Sequence, residues 1–350
     1  MIKIDKKIIS SGSPVFIIGE VGVNHNGDIK MAKKLIDVAA EAKVDAVKFQ
    51  TFNPDTLVTE KTAKASYQIE NEGKAEESQY NMLKRLMLPR EWHQKLKQYA
   101  ESKGLIFLST PFSLDDAIFL RKLGVKAIKV GSTDTENIPY LAEIAKWNVP
   151  IILSTGMSAL SEIKEAVKVI QKAGNHKLVV LHCTTNYPTP YEEANLMAIA
   201  TLQKELKNVP IGLSEHTIGI ETAVASIALG VKVIEKHFTL DRNLPGPDHS
   251  ASLEPNELKL MVQFIRNVEK AMGTGKKVPF ESEKKIAKIA RKSLVAARSI
   301  PVGKKIETND IAIKRPGTGI KPKYFDKFVG KKSIKYKEKD ELLSWDMLKK

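Results

Sequence analysis

The chain reads as a (β/α)8 barrel followed by a small β-rich domain. Three observations predict this: eight short apolar runs that end in polar residues, amphipathic stretches of helical period between them, and a change after Gly273 to short β-type runs with Pro-Gly and Pro-Val-Gly turns. Eight strands with intervening helices in about 260 residues is the arithmetic of such a barrel, a doubly wound open sheet being the structural alternative.

The strand runs are VFIIGE (15–20), DAVKFQ (45–50), LIFLST (105–110), AIKVGS (127–132), PIILST (150–155), LVVLHC (178–183), IGLSEH (211–216) and VKVIEKH (231–237). After the first, DIKMAKKLIDVAAEA opens on Asp28 as an N-cap and places Met31, Leu35 and Val38 on one face. EWHQKLKQYAESKG and SALSEIKEAVKVIQKAG both close on Gly, a helix stop, and the second opens with capping serines. Residues 54–89 are too many for a simple connection, and the polar run ASYQIENEGKAEESQY predicts an excursion with its own short helix, the kind of segment that binds substrate. The expected boundaries are a barrel over 1–275, a linker or connecting helix over 276–290, and a domain over 291–350 that is small for a lone core and so should dock on something.

With 42% hydrophobic and 28% charged residues in 350, the composition is that of a soluble globular protein and excludes a disordered one. The net charge of +15 is compatible with nucleic acid, an anionic membrane or an anionic small substrate. Lysines are scattered over nearly every segment, without a dense basic run interleaved with aromatics, which favours a solvated basic surface over nucleic-acid binding. Cys183 is the single cysteine, so no internal disulfide and no thiol-rich metal site is expected, and the cytoplasm is the expected compartment. Neither a secretory signal nor an apolar stretch of membrane-spanning length is present, so no membrane partner is expected.

Barrel enzymes build their sites from the C-terminal strand ends, and here those ends are polar: Glu20, Lys48 with Gln50, Ser109 with Thr110, Lys129 with Ser132, Ser154 with Thr155, His182, Ser214 with His216, and Glu235 with His237. One such residue is ordinarily just the start of a turn; eight converging on one mouth point to a site. Lys48 and Lys129 lie inside otherwise apolar strands, where an unpaired ammonium is costly to bury, so each must reach solvent or meet an anion. Lysine charge with directed Ser and Thr donors makes a phosphate or carboxylate cradle, without the help of a G-x-x-x-x-G-K-[ST] loop. The substrate is therefore expected to be anionic. His216 and His237 end neighbouring strands and are placed to share a metal, structural hydrogen bonding being the other reading. Two protein nitrogens leave positions for water and substrate oxygens, which suits Mn²⁺ or Mg²⁺ as a Lewis acid. Cys183 is expected to be a buried strand-end thiol rather than a nucleophile.

Specific motifs run through the whole chain: GEVGVNHNGD (19–28), VKFQ (47–50), STPF (109–112), IKVGS (128–132), LSTGM (153–157), HCTTNYPTPYE (182–192), GLSEHTIG (212–219), EKHFTLD (235–241), GPDHSASLEP (246–255), ARKSL (290–294) and KRPGTGI (314–320). In these the chain resembles the sialic acid synthases and related nonulosonate synthases, whose (β/α)8 barrel carries a C-terminal SAF domain similar to type III antifreeze protein. The resemblance implies condensation of phosphoenolpyruvate with the open-chain aldehyde of N-acetylmannosamine and water, giving N-acetylneuraminate and phosphate. Legionaminate or pseudaminate synthase, acting on a 2,4-diacetamido-trideoxyhexose, is the alternative within the family. A carbohydrate-binding antifreeze-like module on an inert barrel is the alternative of another class, and the intact strand-end residues argue against it.

The resemblance further implies that Lys48, Thr110, Lys129, Ser132, Ser154 and Ser214 hold phosphoenolpyruvate, and that Gln50, Tyr187, Asp248 and Arg315 contact the sugar. His216 and His237 match ligands of a divalent metal, usually Mn²⁺, with Mg²⁺ or Co²⁺ as substitutes, and Glu20 matches a catalytic glutamate. Arg315 matches an arginine lent to the barrel of the other subunit, which implies a domain-swapped homodimer. Lys74 and Thr185 stand where one N-acetylneuraminate synthase type has asparagine, and with Asn186 they bear on the choice of sugar.

Overall fold

The computed structural model of the chain describes residues 1–348 apart from Gly73 and Ala75. The chain divides into two compact units, Met1–Gly273 and Thr274–Lys350.

In the first unit the expected runs form eight strands, shifted by no more than a residue or two at either end: β1 (Phe16–Gly22), β2 (Ala46–Thr51), β3 (Ile106–Pro111), β4 (Ile128–Val130), β5 (Ile151–Ser154), β6 (Leu178–Cys183), β7 (Ile211–Glu215) and β8 (Val233–His237). Parallel ladders join them in the order β3-β2-β1-β8-β7-β6-β5-β4. With β3 and β4 close together at the remaining seam, the sheet is a nearly closed barrel.

Side chains alternate across a strand, so each strand supplies one set to the helix layer and the other to the barrel interior. Ile17, Val47, Phe107 and Ile234 pack outward in one core with helix residues such as Leu35, Leu96 and Met261. Ile18, Ala46, Leu108, Ala127, Ile152, Leu181 and Val233 belong to a second, interior core. Two residues further along each of these strands the inward position turns polar: Glu20, Lys48, Thr110, Lys129, Ser154, Cys183 and Glu235. The polar mouth therefore stands on an apolar plug. Gly212 occupies one interior position where a Cβ would lie 2.5 Å from Leu181 Cδ2 and from the Val233 carbonyl oxygen, so only glycine fits. A hairpin of Ile2–Ile4 and Lys7–Ile9, which the sequence reading did not anticipate, adds Ile2, Ile4 and Ile9 to the same interior core.

Around the barrel, α1 (Ile29–Glu41) is capped by Asp28, whose side chain accepts from the Lys30 N–H; Leu35 is buried, while Met31 and Val38 are only partly so. The excursion after β2 holds more helix than expected: a turn at Pro54–Leu57, then α2 (Ser66–Glu72) and α3 (Gln79–Leu86), before α4 (Arg90–Ser102) rejoins the outer layer.

The second unit begins with a helix, Glu281–Ala290, within the segment read as a linker or connecting helix. Strands β9 (Ser293–Ala296) and β10 (Ile311–Lys314) pair antiparallel over a small core that includes Leu294, Ile306, Phe328 and Met347. Residues 274–350 contain 22 Lys and Arg against 9 Asp and Glu, so +13 of the net +15 resides here. This corrects the picture of an evenly basic chain. Lysines do occur throughout, but 32 of the 41 acidic residues that balance them lie in the first unit. Among the described residues no helix is long and apolar enough to cross a membrane.

Candidate active site

Strand register sets Glu20 opposite Lys48 of β2 on one side and His237 of β8 on the other. Lys48 Nζ lies 2.7 Å from Glu20 Oε2 and 3.6 Å from Glu235 Oε1, and it donates to Thr110 Oγ1 at 2.9 Å. From β4, Lys129 reaches the same Glu235 oxygen at 3.5 Å and donates to Ser154 Oγ at 2.7 Å. Ser214 also donates to Glu235 Oε1, at 3.2 Å, while Glu235 Oε2 has no hydrogen-bond partner. None of the four charged side chains belongs to a residue more than 4% exposed. Of the two outcomes open to each lysine, solvent or an anion, the structure shows the second: the protein itself supplies two carboxylates.

The two carboxylates are not equivalent. Burial pushes Glu20 up to about 7, against the pull of Lys48 and with a further push from the neighbouring Glu235. Glu235 is also raised by burial, but Lys129 and Lys48 outweigh this and hold it below its ordinary value. Burial lowers Lys129, whereas Lys48 is raised because Glu20 and Glu235 overcome its burial.

These groups floor a cavity of 110 Å³ at the C-terminal mouth, which Gln50, Ser132, Tyr187, His216 and His237 also line. Through Gln50, Thr185, Tyr187 and His237 it adjoins a second cavity of 390 Å³, walled by Asp248 and by apolar residues of the excursion, Leu57, Met82, Leu83 and Leu86. The barrel thus gathers all the site residues expected from it. Thr185 lines both cavities with a buried, unpartnered hydroxyl. Lys74 is exposed. Arg315 belongs to the second unit, where it is exposed and its Nε donates to the Ala290 carbonyl at 3.1 Å.

The rings of His216 and His237 lie 5.4 Å apart. His216 Nδ1 is 2.7 Å from the Thr184 carbonyl, to which it donates, and although burial would lower this imidazole, the neighbouring Cys183 and that carbonyl hold it above its ordinary pKa. His237 Nδ1 is buried without a partner, 3.9 Å from Asp248 Oδ2, and burial with the nearby His216 holds this imidazole well below its ordinary pKa. Among the described residues no group of three or more His, Cys, Asp or Glu is arranged to hold a metal. His237, held neutral, and His216, once it gives up its second proton, offer two nitrogens to an ion that keeps its other positions for water and substrate oxygens. Cys183 is buried as expected, but it also lines the cavity, 3.6 Å from Ser132 Oγ.

The model of the NeuB family matches residues 35–277. The chain belongs to the NeuB family. A SAF domain matches residues 291–349. Over 329 residues the chain is 46% identical to the N,N'-diacetyllegionaminic acid synthase of Campylobacter jejuni, covering 93% of this chain and 98% of that one. It is 37% identical over 344 residues to the N-acetylneuraminate-9-phosphate synthase of Homo sapiens, covering 96% and 93%. Among solved structures, the N-acetylneuraminic acid synthetase of Leptospira borgpetersenii in complex with citrate superposes with a TM-score of 0.73 at 35% identity, over 81% of this chain and 94% of that one.

Several residues of this NeuB-family site had no role in the sequence reading. Glu235 was one polar strand end among eight; its spacing of two from His237 was the available signal for an inward direction. Tyr67 and Gln68 reach the larger cavity from α2, which carries no apolar periodicity. Asn24, within GEVGVNHNGD, donates to the Phe238 carbonyl and to Ser252 Oγ, each at 2.9 Å, and Ser252 in turn donates to the Asp248 carbonyl.

The raised value of Glu20 has a direct consequence. Infrared spectra of the metal-free protein should show a protonated carboxyl that disappears as pH rises through about 7 and is missing in Glu20→Gln. A carboxyl spectrum without any change near neutrality would contradict the assignment.

Proposed function

We propose that this NeuB-family synthase condenses phosphoenolpyruvate with the open-chain aldehyde of an N-acylated amino hexose and water, releasing phosphate and a nine-carbon 2-keto acid. The buried Lys48 and Lys129 carry the reading: ringed by the hydroxyls of Thr110, Ser132, Ser154 and Ser214, they form a cationic pair at a cavity. The phosphate and carboxylate of the substrate take over the lysines from Glu20 and Glu235, and both carboxylates then face the reacting carbons.

In the proposed sequence C3 of phosphoenolpyruvate bonds to the aldehyde carbon as the C2–C3 and C–O π bonds break, the aldehyde oxygen takes a proton from solvent, and C2 is left cationic beside Glu235 and Glu20. Glu20 takes a proton from water as the water oxygen bonds to C2, a task suited to a base titrating at about 7. The C2–O bond to phosphate then breaks, the added hydroxyl gives its proton to the departing phosphate, and the ketone forms. Members of the family are generally metal-dependent. A divalent ion on His216 and His237, Mn²⁺ in this reading, would supply Lewis-acid polarisation of the aldehyde.

Gln50, Tyr187 and Asp248 are assigned to the sugar, and Arg315 is assigned to the barrel of a second copy in a domain-swapped homodimer. Exposed Ile286 and Ile289, three apart on one helix, support a covering partner for the second unit. The apolar wall of Leu57, Met82, Leu83 and Leu86 suits the methyl groups of a 2,4-diacetamido-trideoxyhexose better than the hydroxyls of N-acetylmannosamine. The greater likeness to the legionaminic acid synthase supports the same sugar. N-Acetylmannosamine, with N-acetylneuraminate as product, is the second reading, supported by the name of the Leptospira relative.

Phosphate release should be followed from phosphoenolpyruvate, Mn²⁺ and, in turn, N-acetylmannosamine and the diacetamido-trideoxyhexoses leading to legionaminate and pseudaminate. The legionaminate precursor should exceed N-acetylmannosamine in kcat/KM by about tenfold or more. The reverse order would overturn the sugar assignment, and no release with any sugar would overturn the synthase reading. Exhaustive chelation should abolish turnover; activity that survived it would remove His216 and His237 from the mechanism.

A further inference from the structure

Helix α2 roofs the larger cavity and touches the loops on either side of it through one side chain. Asn71 Nδ2 donates to the Tyr187 carbonyl at 3.3 Å and to the Pro247 carbonyl at 2.6 Å, so both amide protons are used. Those carbonyls belong to the loop after β6, whose Tyr187 ring lies 4.0 Å from His216, and to the loop after β8, immediately before Asp248. Four residues earlier on the same helix face, the Tyr67 ring lies 5.0 Å from that of Tyr187.

The helix is itself fixed by charge. Lys64, whose side chain has no exposure, sits 3.1 Å from both Glu72 and Glu77, and Arg85 of α3 lies 2.8 Å from Glu72 and 3.3 Å from Glu77. A buried ammonium is tolerable only with such partners, so the C-terminal end of α2, where Asn71 sits, is clamped to α3.

We propose that Asn71 is a positioning residue for the sugar subsite, holding the loops that carry Tyr187 and Asp248 in register with each other across the cavity. The inference rests on the synthase reading above. Each loop has its own anchor, the Thr189 N–H to the His216 carbonyl and Ser252 Oγ to the Asp248 carbonyl, so the barrel folds without Asn71. None of the Asn71 contacts reaches Lys48 or Lys129, and phosphoenolpyruvate binding is left alone.

The test compares the wild-type chain with Asn71→Leu and the near-isosteric Asn71→Asp, which lacks the donors. With the preferred sugar of the panel, both variants should raise the sugar KM about tenfold while the phosphoenolpyruvate KM and the melting temperature stay at wild-type values. Hydrogen exchange in the substrate-free proteins should be faster in both variants at residues 66–72 and 184–189, and unchanged elsewhere in the barrel. A wild-type sugar KM in Asn71→Leu, or unaltered exchange in those segments, overturns the inference. Wild-type protein that turns over no sugar overturns the synthase reading instead, and the exchange data then decide the role of Asn71.

Discussion

Two lysines and two glutamates buried at one barrel mouth are the constraint on which the rest of the site depends. Taking Lys48, Lys129, Glu20 and Glu235 out of water is tolerable only because each faces an opposite charge within 3.6 Å; removing Lys48 would strand Glu20, and removing Glu235 would strand Lys129. The fold makes the arrangement affordable. Parallel register puts Glu20 beside Lys48, strand alternation aims every second residue inward, and an apolar plug below keeps the polar layer at the mouth. Two carboxylates in one cluster also cannot share the same state: Glu235, which both lysines reach, stays ionised, and Glu20, which meets Lys48 alone, is left poised near neutrality.

Much of this was legible in the sequence for a simple reason. Parallel barrel strands are buried on both faces, so they appear as continuous apolar runs, and a lysine inside such a run stands out. Lys236 shows the limit of that signal: it is buried as deeply as the two site lysines, yet it points into the helix layer and pairs with Glu215. Only the strand period separates the two fates, since Lys236 falls between the inward positions Glu235 and His237. The hairpin at residues 2–9 escaped, and the excursion's short helix was foreseen without its bounds or its role, because neither segment is periodic enough to announce itself. Their stability is tertiary: isoleucines inserted into the barrel end in one case, an ion cluster and a bridging amide in the other.

The adjoining cavities divide the labour. The polar floor is built by strand residues and, in the proposed reading, holds phosphoenolpyruvate. The apolar wall is built by the excursion after β2, a loop that can vary without disturbing the barrel. Thr185 stands at the junction of the two, and the proposed reading places reaction chemistry and sugar choice in different parts of the chain.

Calorimetric titration of phosphoenolpyruvate into the wild-type chain and into Lys129→Met is the most direct test of a charge cluster that an incoming trianion takes over. Wild-type protein should bind, and the loss of one charge-assisted partner should weaken binding about a hundredfold in a variant that still melts in a single transition. Equal affinity in the two proteins would contradict it.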